Sequence, residues 1–251
     1  MKQIKMSRVL VIGDIHGGYK ALLQVLDKAN ITSNDTLIFL GDYVDGWSES
    51  EKVVECLLTL RDTNNCVFLR GNHETLLLDW LITKEENSMW EFHGGLASMK
   101  SYSSDNMGEE QRQRHIEFFK GLENYYLDEH NRLFVHAGFT NPRGVGAEFF
   151  REYLYWDRTL WEMVMAMDSS IKPNSVLYPK RLKQYSEIFI GHTPVTNFGF
   201  TQPTNFMNVW NIDTGAAFMG RITVMDVDSK EYWQSDIVAD FYPNEEGRNH
   251  K

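Results

Sequence analysis

The sequence predicts an α/β protein: a parallel sheet with helices on both faces, followed by a second sheet. Three observations carry this expectation. In the first third, short apolar strand patterns alternate three times with helical ones, as parallel strand–helix units do. In the C-terminal part, strand patterns return with no core-type helix between the last of them, which reads as antiparallel strands packing as a second sheet. The length, 251 residues, suits one sizeable core, so residues 1–251 are read as a single domain.

The elements follow in order. Residues 7–13 hold the β-branched-rich run Val9-Leu10-Val11-Ile12 and form a buried strand. Lys2 to Ile12 has a basic start, but Asp14 and His16 interrupt the apolar run and no small-residue cleavage site follows, so it is not read as a signal peptide. After Gly17-Gly18, Leu22, Leu23, Val25 and Leu26 recur at helical spacing as far as Asn30. Residues 35–40 are the second strand. Ser48 and Glu51 have capping-box spacing and open a helix carrying Val53, Val54, Leu57, Leu58 and Leu60. Residues 66–69 are the third strand, and a helix follows over 74–82. Residues 84–122 read as polar helix with a break near 101–108. Strands return at 132–135, 187–190, 206–212, 221–227 and near Tyr232. Between Gly138 and Pro179 the chain is aromatic- and Met-rich, with one helix at 161–168. The polar tail, residues 240–251, is expected to be loose.

Bulk properties exclude several classes. The formal net charge of −10 argues against non-specific binding to nucleic acid or anionic membrane. It does not oppose a phosphorylated substrate, because bound metal ions invert the local field. No apolar run is long enough to span a bilayer. Of the two cysteines, Cys56 lies in an apolar helical pattern and Cys66 opens a strand. Both read as reduced core thiols, which fits a cytoplasmic setting.

The chemistry-bearing residues follow the strands. The first strand ends in Gly13-Asp14-Ile15-His16-Gly17, the second in Gly41-Asp42 with Asp45 beyond, the third in Gly71-Asn72-His73-Glu74. The strand at 132 ends in Val135-His136-Ala137-Gly138, and that at 187 in Gly191-His192-Thr193-Pro194. Ligands of α/β sheets bind at the carboxyl ends of strands, so all five clusters converge on one sheet edge. Taken singly, such a cluster is commonly a satisfied polar pair or a turn; five in this context and order are not. Asp14, His16, Asp42, Asn72, His136 and His192 form an oxygen/nitrogen set without thiolate, which suits Mn, Fe or Zn and suits Ca poorly. Six ligands exceed what one ion with an open position needs. They fit two ions sharing a carboxylate, a recurring device for phosphoester hydrolysis. Glycines before the ligands let the backbone turn sharply and approach closely.

These motifs, together with Arg70-Gly71-Asn72-His73-Glu74 and the later Ile212-Asp213-Thr214-Gly215-Ala216, resemble the calcineurin-like metallophosphoesterases. Within them they resemble the PPP-type serine/threonine phosphatase branch and its bacterial and phage members, the lambda phosphatase type and the bis(5′-nucleosyl)-tetraphosphatases. The resemblance runs from about Val9 to Val227. It implies a four-layer α/β/β/α sandwich of two central mixed sheets with the site at one edge. It implies that Asp14 and His16 hold the first metal, Asp42 bridges both, and Asn72, His136 and His192 hold the second. A metal-bridging hydroxide would attack phosphorus in line, with Mn²⁺ the first choice of ion. His73 would protonate the leaving alkoxide, oriented by Asp45; an imidazole near neutral pKa needs such a partner to fix its tautomer. Asn72 and Arg158, the latter in Tyr155-Trp156-Asp157-Arg158, would contact the substrate phosphate.

One departure stands out. PPP enzymes read Asp-Arg-Gly where this chain reads Asp45-Gly46-Trp47, so a phosphate-gripping arginine is missing. Trp47 either lines the pocket and stacks on a ring or packs the following helix. Arg70, Arg143 and Arg151 are weaker candidates for substrate contact. Trp80, Trp90, Phe92, Phe118 and Phe119 read as core, His93 as mostly structural with some reach to the site rim, and Asp213 and Thr214 as support for His192 or a simple turn. The expected function is a metal-dependent phosphoric monoester hydrolase acting on phosphoserine/threonine, phosphotyrosine or small phosphoesters. The alternatives are a bis(5′-nucleosyl)-tetraphosphatase-like nucleotide hydrolase and a non-catalytic phosphate-binding module. Expected partners are a phosphorylated protein or small phosphoester, with no nucleic acid and no membrane.

Overall fold

The computed structural model describes residues 7–103 and 107–249. The basic start at Lys2, the middle of the break expected near 101–108 and the last two residues of the tail lie outside the described residues. In chain order the strands of the first half are β1 (Val9–Ile12), β2 (Thr36–Phe39), β3 (Asn65–Phe68), β4 (Tyr125–Leu127) and β5 (Arg132–Val135). Those of the second half are β6 (Glu187–Ile190), β7 (Thr204–Phe206), β8 (Val209–Asn211), β9 (Thr223–Asp226) and β10 (Tyr232–Gln234). The helices are α1 (Tyr19–Lys28), α2 (Ser50–Thr63), α3 (Asn72–Thr83), α4 (Ser88–Trp90), α5 (Leu96–Tyr102), α6 (Glu109–Lys120), α7 (Tyr153–Trp156) and α8 (Thr159–Ala166).

The strands form two five-stranded sheets, ordered β10-β9-β1-β2-β3 and β4-β5-β6-β8-β7. Side chains alternate across each strand, and the alternation builds the layers. Leu10, Ile12, Leu37 and Phe39 face outward onto Leu22, Val53, Leu57, Leu77 and Phe119 of the helices. Val11, Ile38 and Val67 face inward and meet Phe134, Phe189 and Ile212 of the other sheet. On the far side, Leu133, Val135, Ile188 and Ile190 pack on Leu154, Leu160, Trp161 and Val164 of α7 and α8. The result is helix, sheet, sheet, helix. Among the described residues no helix is long and apolar enough to cross a membrane.

Both sheets are mixed. The first sheet pairs β1, β2 and β3 in parallel, as strand–helix alternation requires. The C-terminal strands, however, do not form one antiparallel sheet. β9 pairs antiparallel with β1, and β10 with β9, so both extend the first sheet. All four residues of β9 are buried, which suits an interior strand. In the second sheet β5, β6 and β8 are parallel. For β5 and β6 the reason is the 138–179 section, whose α7 and α8 provide the helical crossover that parallel neighbours need; β6 reaches β8 by way of residues 191–203 and β7. The strand expected at 206–212 is a hairpin, β7 turning into β8 through Met207 at φ 56°. β4, three residues flanked by polar ones, escaped the pattern search.

Two local expectations change together. Ser48 does not cap α2, which starts at Ser50 with no side-chain cap. Its hydroxyl and amide instead donate to the Glu245 carboxylate, at 2.7 and 3.0 Å. Glu245 belongs to the segment read as a loose tail. As far as residue 249, that segment lies docked on the body: the Tyr242 ring stacks on Trp47, with centroids 5.3 Å apart and planes at 22°. The Tyr242 hydroxyl donates to Glu49 at 2.6 Å, and the Arg248 amide donates to Ala217 O at 2.9 Å. Composition marks the segment as polar but carries no trace of these distant partners.

Candidate active site

Each of the strands β1, β2, β3, β5 and β6 delivers polar side chains from its carboxyl end to one edge of the double sheet. Asp14 and His16 follow β1, Asp42 follows β2, Asn72 opens α3 after β3, and His136 and His192 follow β5 and β6. All six are buried. His16, Asp42, Asp45 and His192 have positive φ, between 53° and 70°. The chain leaves these strands through tight left-handed bends, a conformation Asp and His tolerate better than most residues. Close approach explains two glycines: a Cβ on Gly71 would overlap a carboxylate oxygen of Asp42, and one on Gly191 a carboxylate oxygen of Asp14.

Asp42 sits at the centre. One of its carboxylate oxygens lies 3.6 Å from His16 Nε2 and 3.3 Å from His136 Nε2. On one side His16 Nε2 is 3.7 Å from Asp14. On the other, Asp42, His136 and His192 bring ligand atoms within 4.8 Å of one another. The tautomers are fixed from behind. His16 Nδ1 donates to Val44 O and Asp45 O, each at 3.2 Å, and His136 Nδ1 to Leu40 O at 2.9 Å. Each ring therefore turns its Nε2 toward Asp42.

Several buried polar atoms at this edge lack a hydrogen-bond partner. Asn72 Oδ1, His136 Nε2 and His192 Nε2 are buried without a hydrogen-bond partner, a costly condition. Burial raises the Asp14 carboxyl to about 7 and that of Asp213 to about 8, with the neighbouring carboxylates adding to the effect. Burial opposes charge on His136, but Asp42 outweighs it and lifts the imidazole to about 9. Burial depresses His16 and His192. Divalent cations would restore charge to these carboxyls and displace the His136 proton. The oxygen/nitrogen donor set and the orphaned atoms thus fit a pair of metal ions.

Sequence reasoning did not assign Glu74 a role. Its carboxylate accepts the amides of Asp42 and Gly71, each at 2.9 Å, and of Tyr43 at 2.6 Å. It ties the Asp42 loop to the start of α3, although burial lifts its carboxyl to about 8. The capping-box spacing of Gly71 and Glu74 was the available signal.

His73 and Asp45 pair as expected, Nδ1 to Oδ2 at 2.6 Å, both buried. The same Oδ2 accepts the Trp90 indole at 2.6 Å. Trp90 is core, as its pattern indicated, and it also holds the carboxylate. His73 lies close to His16 and Asp42, but its ring nitrogens are otherwise engaged. Nε2 faces Arg248 Nη1 at 3.0 Å, and a guanidinium only donates, so Nε2 accepts.

A cleft of about 350 Å³ opens onto this edge. Asp42, Asn72, His73 and His192 form its floor, and Met89, Trp156, Arg158 and Arg248 stand around it. Arg158 is where the sequence indicated, exposed, with Nη1 3.4 Å from Thr193 Oγ1. His93 reaches the cleft, and Phe92 is exposed rather than core. Trp47 does not line the cleft. It is fully buried, its indole donates to Ala216 O at 2.8 Å, and it packs under the C-terminal segment. Arg70 donates to the carbonyls of Lys120 and Leu122, and Arg151 to that of Val145, so both have structural partners. Asp213 accepts the Gly215 amide, while the His192 amide goes to Asp14. Cys56 and Cys66 are free thiols, and burial raises both to about 11.

Comparison with known proteins agrees with this fold. The family model described as calcineurin-like phosphoesterase matches residues 7–217. The bis(5′-nucleosyl)-tetraphosphatase PrpE [asymmetrical] of Oceanobacillus iheyensis is 26% identical over 240 residues, covering 90% of each chain. The serine/threonine-protein phosphatase PP1-delta of Caenorhabditis elegans is 39% identical over 69 residues, 26% of this chain and 22% of that one. A crystal structure of a protein proposed to be a diadenosine tetraphosphatase superposes with a TM-score of 0.62 at 18% identity, covering 93% of this chain and 95% of the other. The chain belongs to the calcineurin-like phosphoesterase family, metal-dependent hydrolases among which it has sequence neighbours in the PPP branch.

Proposed function

We propose that the protein is a phosphoric monoester hydrolase that uses two divalent ions, with Mn²⁺ as the activating ion ahead of Fe or Zn. The observation that carries the reading is the sharing of Asp42 between two groups of ligand atoms, with a buried His73–Asp45 pair beside them. Asp14 and His16 would hold one ion, Asn72, His136 and His192 the other, and Asp42 both. When bound, the ions supply an activated water and neutralise charge on the phosphoryl group. The chain's own residues do the rest. Arg158, at the cleft wall, and Asn72, on its floor, orient the phosphate. Once protonated at Nε2 from solvent, which the Asp45 carboxylate favours against burial, His73 delivers that proton to the leaving oxygen. Asp45 fixes the ring from behind and stabilises its charged form, and Trp90 keeps the Asp45 carboxylate in place. A phosphorylated side chain or a small phosphoester is the substrate, handled in the cytoplasm, in keeping with two unpaired cysteines.

A second reading, hydrolysis of a bis(5′-nucleosyl) tetraphosphate, draws support from the similarity to PrpE along 90% of the chain. Met89 and Trp156 at the rim offer apolar surface that a nucleobase could use as well as a phenol. The test is a panel of phosphopeptides, p-nitrophenyl phosphate and diadenosine tetraphosphate, run with Mn²⁺, Zn²⁺, Ni²⁺ and Mg²⁺. Monoester turnover at least about tenfold above tetraphosphate turnover supports the first reading, and the reverse order replaces it with the second.

A further inference from the structure

Arg248 is the least expected group at the site. It comes from the C-terminal segment, 175 residues beyond His73, yet it lines the same cleft as Asn72, His192 and Arg158. Its guanidinium carries five donors. One meets His73 Nε2 at 3.0 Å, and Nε is buried with no hydrogen-bond partner. A half-buried guanidinium that lines a cleft and has a donor unused is arranged for an anion.

The segment that brings it is anchored at several points. Tyr242 stacks on Trp47, and Gly247 lies so close over the Trp47 ring that a Cβ there would stand 2.7 Å from it. Glu245 accepts two bonds from Ser48 at the start of α2, Arg248 N donates to Ala217 O, and the guanidinium lies 5.3 Å from the Phe218 ring. The Arg248 stem then crosses Gly46 and Gly94, where added Cβ atoms would come within 3.6 and 3.1 Å of its Cγ. At position 94 even a Cβ would crowd that stem, and at position 46 a Cβ would stand in contact with it.

We infer that Arg248, carried by the docked segment of residues 242–249, binds the phosphoryl oxygens of the substrate. The site is then complete only while that segment is in place. On substrate entry the guanidinium turns its fork to the phosphoryl oxygens and releases His73 Nε2 for the leaving group. Trp47 serves as the post on which the segment docks. The inference rests on the phosphoester reading above and adds to it the residue and the segment that grip the phosphate.

The test is isothermal titration of inorganic phosphate into the Mn²⁺-loaded protein, with steady-state kinetics on p-nitrophenyl phosphate alongside. Arg248→Ala and a chain ending at Tyr242 are each expected to weaken phosphate binding and raise KM by about 10–100-fold, the range for charge-assisted bonds. Bound metal should stay unchanged. Arg248→Lys should recover part of the loss, because a point charge replaces the fork incompletely. Phosphate affinity within about twofold of the parent in both variants would overturn the inference while leaving the phosphoester reading intact. A fall in kcat with phosphate affinity unchanged would also overturn it, since that outcome describes an arginine that only holds His73. A parent protein that neither binds phosphate nor hydrolyses any phosphoester would remove both readings.

Discussion

The floor of the cleft and its rim are built in opposite ways. The floor, Asp42, Asn72, His73 and His192, and the side chains beneath it all stand within a few residues of strand ends, and those beneath are fixed by backbone partners: His16 by Val44 O and Asp45 O, His136 by Leu40 O, Asp14 by the His192 amide. The rim is made of Met89 in α4, Trp156 in α7, Arg158 just before α8 and Arg248 in the C-terminal segment. Floor residues are placed by sheet topology, so their chemistry is constrained by the fold. Rim residues are placed by helices and a strap that can change without disturbing the sheets. On the proposed function, catalytic chemistry and substrate choice lie in separable parts of one site.

The comparison can be broken or sharpened by substitution. The largest effect is expected on the floor. His73→Asn should lower kcat by about 10²–10⁴-fold, the usual contribution of a general acid. The loss should be greater for alkyl phosphates than for p-nitrophenyl phosphate, whose leaving group needs no proton. Equal losses on both would show that His73 does not act as the acid. A smaller and different effect is expected at the rim. Trp156→Ala should change the ratio of kcat/KM between aryl and alkyl phosphates by about 5–10-fold, as the loss of one ring contact does, with kcat on small substrates kept. A uniform loss of kcat across substrates would erase the distinction between floor and rim.

The smallest effect is on stability. Well above pH 6.5 an unfolded chain has ionised its carboxyls and lost most of its imidazole protons, so the depressed imidazoles of His16, His73, His115 and His192 no longer oppose the trend. The metal-free fold still holds protons, on Asp14 to about 7, on Glu74 and Asp213 to about 8, and on His136 to about 9. The native state then binds more protons than the unfolded one, so stability must fall as pH rises. Thermal melts of chelator-treated protein should show Tm decreasing from pH 6.5 to 9, with Mn²⁺ flattening the trend because ions replace protons at Asp14 and His136. A metal-free Tm that rises over this window would contradict the account of the floor.

The same division explains what could be read from the sequence. The three parallel strands, and the gathering of Asp14, His16, Asp42, Asn72, His136 and His192 at one sheet edge, were legible because strand ends and their Gly-flanked polar residues are local in sequence. The Asp45–His73 pairing was legible because each stands within three residues of one of those polar side chains. Glu74 was visible only as a capping pattern, since its task of holding the Asp42 loop depends on two strands lying side by side. The C-terminal topology was misjudged because strand patterns carry no record of which sheet they join, and β9 and β10 returned to the first. Arg248 and the role of Trp47 were illegible for a stronger reason. Gly46-Trp47 stood out only as a missing arginine and residues 242–248 not at all; their meaning arises where Tyr242, Glu245 and Gly247 meet Trp47 and Ser48.

The central claim is that Asp42 joins two ions into one hydrolytic centre. The most direct measurement pairs metal content by mass spectrometry with Mn²⁺-dependent phosphate release from p-nitrophenyl phosphate, for the parent and for Asp42→Asn. The account predicts about two ions per parent chain and metal-dependent release. It predicts fewer ions in the variant and a loss of activity beyond the roughly 10–100-fold that partners behind the ligands produce. A variant that keeps both its ions and its activity would contradict it.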